Sequence, residues 1–461
     1  MHRQASFGAA KSLLFLLMVI TIFDYLLLPV YIFLFYIIVK RKTLKYEAEL
    51  KKYIQAAFFL RMLGSVAYCL VLQYYYGFGD SFIYYSGGNF ISEQLGKDLS
   101  NIHYLFVSGK EVQDWYNSIV GDINYSGYFE IPSAYMIMKI SAVLSFLSFN
   151  KFMIISLFFG FFSFAGQWKL FMVFDKINNH QRRKLLAYAV LYTPSIWFWG
   201  SGLMKDSVCL GALGFIISIL YTFFVKRKFS LLNLIFLGFL IYLVYTIKSY
   251  IIAIFFISLG ALFFNYFIRA VKSIVFRIGL FILLILASIV IVTGFNLSNQ
   301  INELQEESIA QRESNRSSYQ ASMEESETSQ AGIESSELDP SIANLLLNSP
   351  GIIFTCLFRP FIWESRKIMI LFTSLESMLL LFCTIYLLVK MKIIGLYRLI
   401  FHNHYLFFCF TISMLFAMII GFTTFNFGTM IRYKIILLPF YYFMLVQIYN
   451  VYKNSKPAIA K

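Results

Sequence analysis

The sequence predicts an all-α, polytopic integral membrane protein with about 11–12 hydrophobic helices and two long extracytoplasmic loops. Three observations predict this class. Only 14% of the 461 residues are charged, whereas soluble domains carry about a quarter. Long apolar runs recur along the chain, and many approach the roughly 20 residues that a helix needs to cross a bilayer. These runs are continuous, which argues against the short alternating segments of a membrane β-barrel.

The apolar windows between charged loops predict the individual spans. The first run, Leu13 to Val39, is longer than a signal-peptide core and lacks a convincing cleavage site, so we expect it to be retained. The predicted spans lie near 12–39, 53–76, 131–149, 152–174, 185–200, 206–225, 230–248, 250–267, 278–295, 366–389, 405–422 and 435–452.

The placement of basic residues predicts the topology. The net charge of +15 is concentrated in short loops such as 40–52, 182–184 and 226–228. This pattern is typical of cytoplasmic loops beside an anionic membrane surface, so we expect a cytoplasmic C-terminus, membrane lipid as a partner and no nucleic acid. Runs 131–149 and 152–174 must then cross only once together. Either one of them is a re-entrant or interfacial helix, which Lys139 favours for the first, or one basic loop departs from the rule.

The predicted spans divide the chain into five segments. Membrane helices occupy 1–76, and 77–130 forms the first extracytoplasmic loop, whose aromatic content favours amphipathic helices along the interface. The membrane core follows at 131–295. Segment 296–350 is an acidic, Ser/Glu-rich extracytoplasmic loop that is expected to be disordered, and 351–461 contains the C-terminal membrane helices.

Cysteine and histidine provide no sign of a metal centre. The five cysteines show no CxxC spacing, and the five histidines form no clear cluster, although His402 and His404 are close in sequence. We therefore expect neither a disulfide framework nor a zinc site. The sequence requires no cofactor, and a divalent metal is left open without support.

Charged residues at the ends of the apolar runs are the candidate functional residues, because a charge at the centre of a membrane helix costs about 2.5–3.5 kcal/mol on insertion scales. In the stretch IWFWGSGLMKDSVCLG, a lysine and an aspartate stand side by side between two apolar runs. The candidates all fall on the predicted outer side: Asp80, Lys205, Asp206, Lys248, Arg359, Glu364, Arg432 and Lys434. Each one has a simpler explanation as a helix cap, a snorkelling cation or half of a local ion pair. Their common side instead predicts that they converge in a cavity that opens outward.

Such a cavity suits a phosphate-bearing ligand. Arginine and lysine beside helix N-termini bind phosphate, and a nearby carboxylate can act as general base toward a hydroxyl. Tyrosine and tryptophan at the outer rim, such as Trp115 and Trp363, could stack on sugar rings or simply form the interfacial aromatic belt. A polyprenyl-phosphate-linked sugar would use all of these features.

Four motifs in this order resemble bacterial GT-C-like membrane glycosyltransferases and the related EpsG-like exopolysaccharide polymerases. They are YYYGFGDSFIYYSGG, PSIWFWGSGLMKDS, FRPFIWES with LFTSLESMLLL, and NFGTMIRYKIILLPFYYFML. The resemblance implies Asp80 as the catalytic acid of the first outer loop, although the partner acid found in many of these enzymes is replaced by Ser81. It also implies Lys205, Arg359 and Arg432 as ligands of the lipid-linked phosphate, with Asp206 and Glu364 orienting them or the acceptor. Lys248 is a further candidate substrate-binding residue.

The leading expectation is a glycosyltransferase or polysaccharide polymerase in the bacterial inner membrane. It would use a polyprenyl-linked sugar or oligosaccharide at the extracytoplasmic face. A transporter or flippase for a lipid-linked or anionic solute is the main alternative, and a membrane scaffold for polysaccharide assembly is a third. No convincing internal repeat supports the transporter.

Overall fold

A computed structural model describes residues 19–77, 79–120, 128–270, 342–365, 368–424 and 427–455. These residues form helices joined by turns, with no strand among them, and they divide into two compact units, Met1–Ile252 and Ala253–Lys461. The helices are α1 (Ile22–Thr43), α2 (Ala48–Val71), α3 (Asp80–Lys97), α4 (Gly109–Val120), α5 (Pro132–Ser148), α6 (Phe152–Ile177), α7 (Arg183–Leu191), α8 (Pro194–Trp199), α9 (Lys205–Phe224), α10 (Leu231–Ile247), α11 (Ser249–Ala270), α12 (Ile342–Phe358), α13 (Ile368–His402), α14 (His404–Thr423), α15 (Phe427–Lys434) and α16 (Leu438–Ser455).

The lengths and apolar composition of these helices confirm an all-α, multi-pass membrane architecture. Within the described residues, seven helices are long and apolar enough to cross a bilayer, and α15 with α16 forms a further candidate that is bent by 63°. Three shorter apolar helices are also present, at Pro132–Ser148, Leu231–Ile247 and Asn348–Phe358. The last of these belongs to α12, which begins inside the segment that the sequence analysis assigned to the acidic loop. The predicted span 278–295 and the acidic stretch 302–340 lie outside the described residues.

Helix α6 is the centre of the first unit, and glycine allows α9 to lie directly against it. A Cβ atom on Gly166 would lie 1.9 Å from the carbonyl oxygen of Gly211, and one on Gly214 would lie 2.2 Å from the carbonyl oxygen of Gly166. Such close backbone approach is the usual role of small residues between membrane helices. A Cβ atom on Gly160, which precedes Gly166 on α6, would lie 3.0 Å from the carbonyl oxygen of Ser201, just before α9, so residue numbers rise together along the two helices. The two helices are therefore parallel, and both begin at the same end of the unit.

Polar contacts identify the two ends of the first unit. At the end where α9 begins, here called the Lys205 end, buried Asp24 accepts hydrogen bonds from Thr21 and from the backbone N–H of Met153 at the start of α6. At the opposite, basic-loop end, Arg183 binds Asp175 and also reaches Glu47 and Glu49 at the start of α2. Helices α1 and α6 therefore run in the same direction, from the Lys205 end to the basic-loop end.

Helix α5 does not run between the two ends. Its first turn contains Ser133, whose hydroxyl accepts a hydrogen bond from Lys205. Its last residue, Ser148, is followed within four residues by the start of α6, which is also at the Lys205 end. Both termini of α5 therefore lie at one end, with α3 packed across it so that Gly88 meets Ser141. This arrangement agrees with the expectation that one of the two neighbouring apolar runs does not cross.

The second unit contains two interrupted helices. Helix α13 is broken at Lys392, which has the left-handed φ of 57° that a side chain rarely adopts. The chain also bends between α15 and α16, immediately after Lys434. Since an interrupted helix leaves backbone groups without helical partners, other groups at each break must satisfy them.

Candidate functional site

A tight turn of small residues positions Lys205 and Asp206. Helix α8 ends at Trp199, and the buried stretch Gly200–Met204 leads into α9. A Cβ atom on Gly202 would lie 2.2 Å from the ring of Tyr68, so only glycine lets the chain pass between α2 and α9 here. Met204 is extended, and α9 begins directly at Lys205.

Asp206 forms a buried ion pair with Lys248. The Lys248 Nζ donates to Asp206 Oδ1 at 2.5 Å, and the two residues are 9% and 1% exposed. Asp206 lies in the first turn of α9, where a carboxylate also meets the positive end of the helix dipole. Lys248 follows the last residue of α10, so the pair joins the start of one helix to the end of another. The structure thus brings together two of the predicted residues that are 42 positions apart in sequence.

Lys205 points toward a different set of groups. Its ammonium group donates to the hydroxyl of Ser133 at 2.8 Å and lies 5.6 Å from the centre of the Tyr84 ring. The side chain is only half-buried, whereas Asp206 is fully buried. Lys205 is therefore more accessible than Lys248, the buried cation paired with Asp206.

Asp80 begins α3 beside this same turn. The hydroxyl of the next residue, Ser81, donates to the carbonyl oxygen of Leu203 at 2.8 Å and contacts the Tyr68 hydroxyl at 2.7 Å. Asp80 and Tyr84 are four residues apart on α3 and so share one helix face. Burial and, to a lesser extent, the charge of Asp80 raise the pKa of Tyr128. The predicted general base and the predicted phosphate ligand Lys205 therefore lie on adjoining turns of the first unit.

Arg61 is a buried cation that the sequence analysis missed. It lies inside the long apolar helix α2 and is 1% exposed. Its Nη1 donates to the carbonyl oxygens of Ile196 and Gly200 at 3.0 and 2.8 Å, while Nη2 donates to the side chain of Gln167. Arg61 thus satisfies the last carbonyl groups of the short helix α8 and fixes the segment that leads to Lys205. An arginine in the middle of a span, rather than at its end, was the available signal.

In the second unit, Arg359 and Glu364 pair with each other. The Arg359 Nε donates to Glu364 Oε1 at 2.9 Å, and a second guanidinium nitrogen contacts the same carboxylate. The other oxygen of Glu364 accepts from the backbone N–H of Phe361 at 2.7 Å. This local pairing matches the simpler of the two explanations weighed above, in which Glu364 holds the Arg359 side chain.

Lys434 and Arg432 lie on α15, close to the bend before α16. Lys434 is 2% exposed, and its ammonium group donates to Ser377 Oγ at 2.8 Å and to the carbonyl oxygen of Arg359 at 3.2 Å. Arg432 is half-buried, with its guanidinium 5.2 Å from the ring of Tyr433.

Glu376, next to Ser377, is a second acid that was not predicted from the sequence, and it accepts a hydrogen bond from the Tyr442 hydroxyl. Arg359, Glu364 and Lys434 therefore form one polar region of the second unit.

Two of the tryptophans suggested for sugar stacking are occupied on one face. Trp115 stacks on Tyr104 with ring centres 3.8 Å apart, and Trp363 stacks on Phe361 at 4.8 Å. Trp363 remains 75% exposed and so keeps an accessible surface. A role for either ring in binding sugar stays a prediction.

The predicted site residues are thus divided between the two units. Asp80, Lys205 and the Asp206–Lys248 pair gather in the first, while Arg359, Glu364 and Arg432 belong to the second. Within the described residues, no group of three or more His, Cys, Asp or Glu side chains is arranged to hold a metal ion. Comparisons of the chain with family models, with curated proteins and with solved structures found no match.

Proposed function

We propose that the chain is an integral membrane glycosyltransferase or polysaccharide polymerase that uses a polyprenyl-phosphate-linked sugar. The observation that carries the proposal is the meeting of an acid and an accessible cation at the Lys205 end. Ser81 and Leu203 are 122 residues apart in sequence, yet they are joined by a hydrogen bond that sets Asp80 beside the turn of Lys205. The half-buried side chains of this region lie at the end of a helical bundle, where a lipid-linked substrate presents its head group.

The proposed reaction assigns one role to each of these groups. The Asp80 carboxylate takes the proton from an acceptor hydroxyl, whose oxygen then bonds to the anomeric carbon of the donor sugar. The bond between that carbon and the phosphate oxygen breaks, and Lys205 stabilises the negative charge that the departing phosphate gains. The Asp206–Lys248 pair is neutral as a whole and holds the start of α9, so that Lys205 keeps its place.

Glycan analysis of single variants in the native host tests the proposal. Asp80→Asn and Lys205→Ala should each reduce the amount or length of the surface polysaccharide, while the protein still inserts at normal levels. Asp114→Asn and Lys110→Ala are matched controls, because both residues are exposed on α4 in the same predicted loop. Unchanged polysaccharide in both site variants would contradict the enzyme assignment.

A transporter or flippase for a lipid-linked or anionic solute is a second candidate, and one observation favours it. Each unit contains an interrupted helical segment with a buried cation against it: Arg61 at the end of α8, and Lys434 at the bend before α16. Broken helices in corresponding halves are a known feature of transporter binding sites. Purified protein in vesicles with a labelled polyprenyl-phosphate sugar separates the two functions. Formation of a glycosylated product supports the enzyme, and movement of the intact lipid across the bilayer without product supports the transporter.

A further inference from the structure

An apolar cavity of about 320 Å³ lies inside the second unit. It is enclosed by α12, α13, α14 and α16, and all of its lining residues are apolar except Thr384 and Tyr441. The hydroxyl groups of these two residues are 3.1 Å apart and hydrogen-bond to each other, so they do not require a hydrogen-bonding partner from a bound molecule. The cavity is therefore chemically suited to hydrocarbon.

The cavity opens sideways, toward the lipid-facing surface of the helices. Two of its lining residues, Phe354 on α12 and Leu388 on α13, are 43% and 42% exposed. A dry cavity of ~150 Å³ holds benzene, so this volume corresponds to about a dozen carbon atoms. It therefore accommodates one hydrocarbon chain entering from the bilayer, and not two chains side by side.

A cation interrupts the lining of the cavity along α13. Exposed Lys392 stands at the break in this helix, between the lining residues Leu388 and Leu396. Residues 377–461 contain no aspartate or glutamate, so no acid from this part of the chain offsets its charge. Basic residues at the ends of membrane helices attract anionic lipid head groups.

We propose that this cavity binds one acyl chain of an anionic bilayer phospholipid, whose phosphate group lies against Lys392. The chain enters between α12 and α13, and Lys392 selects the head group. This site is independent of the glycosyl transfer proposed above, because it uses none of the residues at the Lys205 end.

Photocrosslinking of the full chain in lipid nanodiscs tests the proposal. The probe is phosphatidylglycerol with a diazirine midway along one acyl chain, compared with the same diazirine in phosphatidylcholine. We expect the phosphatidylglycerol probe to label peptides of α12, α13, α14 and α16 that line the cavity. Selectivity for it should fall about fivefold in Lys392→Ala, which removes the cation at the break. Lys453→Ala, a cation on α16 away from the cavity lining, should leave the selectivity unchanged.

Filling the cavity provides a second, independent arm. Leu388→Trp should reduce labelling of the cavity peptides to background, whereas Leu379→Trp, on an exposed and non-lining position of the same helix, should not. Leu388 is partly exposed, so the larger side chain can be accommodated without unfolding. Equal labelling by the two probes would overturn the head-group selectivity. If undecaprenyl phosphate displaces the probe from the cavity and excess unlabelled phosphatidylglycerol does not, the cavity belongs to a different lipid and the proposal is overturned.

Discussion

Replacing Arg61 by methionine removes the guanidinium that holds α8 in place while keeping much of the side-chain volume. In the native structure this group satisfies four acceptors: the carbonyl oxygens of Ile196 and Gly200, the hydroxyl of Ser163 and the amide oxygen of Gln167. Arg61 is 1% exposed, so water has no ready access to the acceptors that the substitution leaves behind.

The size of the effect follows from those four acceptors. Hydrogen bonds between membrane helices contribute about 0.6 kcal/mol each on average, which sets a lower value near 2 kcal/mol. A buried acceptor left unsatisfied costs about 1–3 kcal/mol, which raises the total. Removing a buried charge relieves its desolvation and offsets part of this loss. We therefore expect Arg61→Met to lower the free energy of unfolding by about 2–4 kcal/mol.

Thermal unfolding of the purified protein in detergent measures this change. A loss of this size in a unit of this length should lower Tm by roughly 5–10 °C. Lys169→Met is the matched control, since Lys169 is an exposed cation on the neighbouring helix α6 and its loss should change stability by less than about 0.5 kcal/mol. If Arg61→Met unfolds at the same temperature as the control, the buried guanidinium does not hold α8 and the reasoning is wrong.

Further substitutions test the ion pair, the helix packing and the helix caps by the same unfolding assay. Asp206→Asn and Lys248→Met should each lower the free energy of unfolding by about 3–5 kcal/mol, because each single change leaves a buried charge without its partner. The double variant should lose less than the sum of the two, and additive losses would exclude coupling between the residues. Gly166→Ala should lower the free energy of unfolding by at least about 2 kcal/mol, since its Cβ would meet backbone rather than a movable side chain. Its control, Gly238→Ala, should be neutral or stabilising, because nothing lies within 4 Å of that Cβ position. Asp24→Ala should cost about 1–3 kcal/mol through the lost caps of α1 and α6, and wild-type stability would show that those caps contribute little.

The candidate site was only partly predictable from the sequence. The position of Asp206 at a helix N-terminus was one of the two explanations available from the sequence alone, and α9 does begin one residue earlier. Its pairing with Lys248 was not predicted, because the two residues lie at the ends of different helices and periodicity within a helix carries no information about its neighbours. Arg61 was overlooked for a related reason. The carbonyl oxygens that accept its hydrogen bonds lie in and directly after a helix of only six residues on a distant part of the chain.

The sequence by itself determined that this chain is a bundle of apolar helices, because the length and composition of each run decide whether a helix can lie in a bilayer. It also located most of the charged residues at the ends of those runs, where their hydration cost is least. Only the tertiary structure decided which of these charges meet, that α5 begins and ends at one side of its unit, and that Asp80 lies beside the turn of Lys205. These features depend on contacts between residues 42 to 122 positions apart, and such contacts are set by the packing of whole helices rather than by any local pattern.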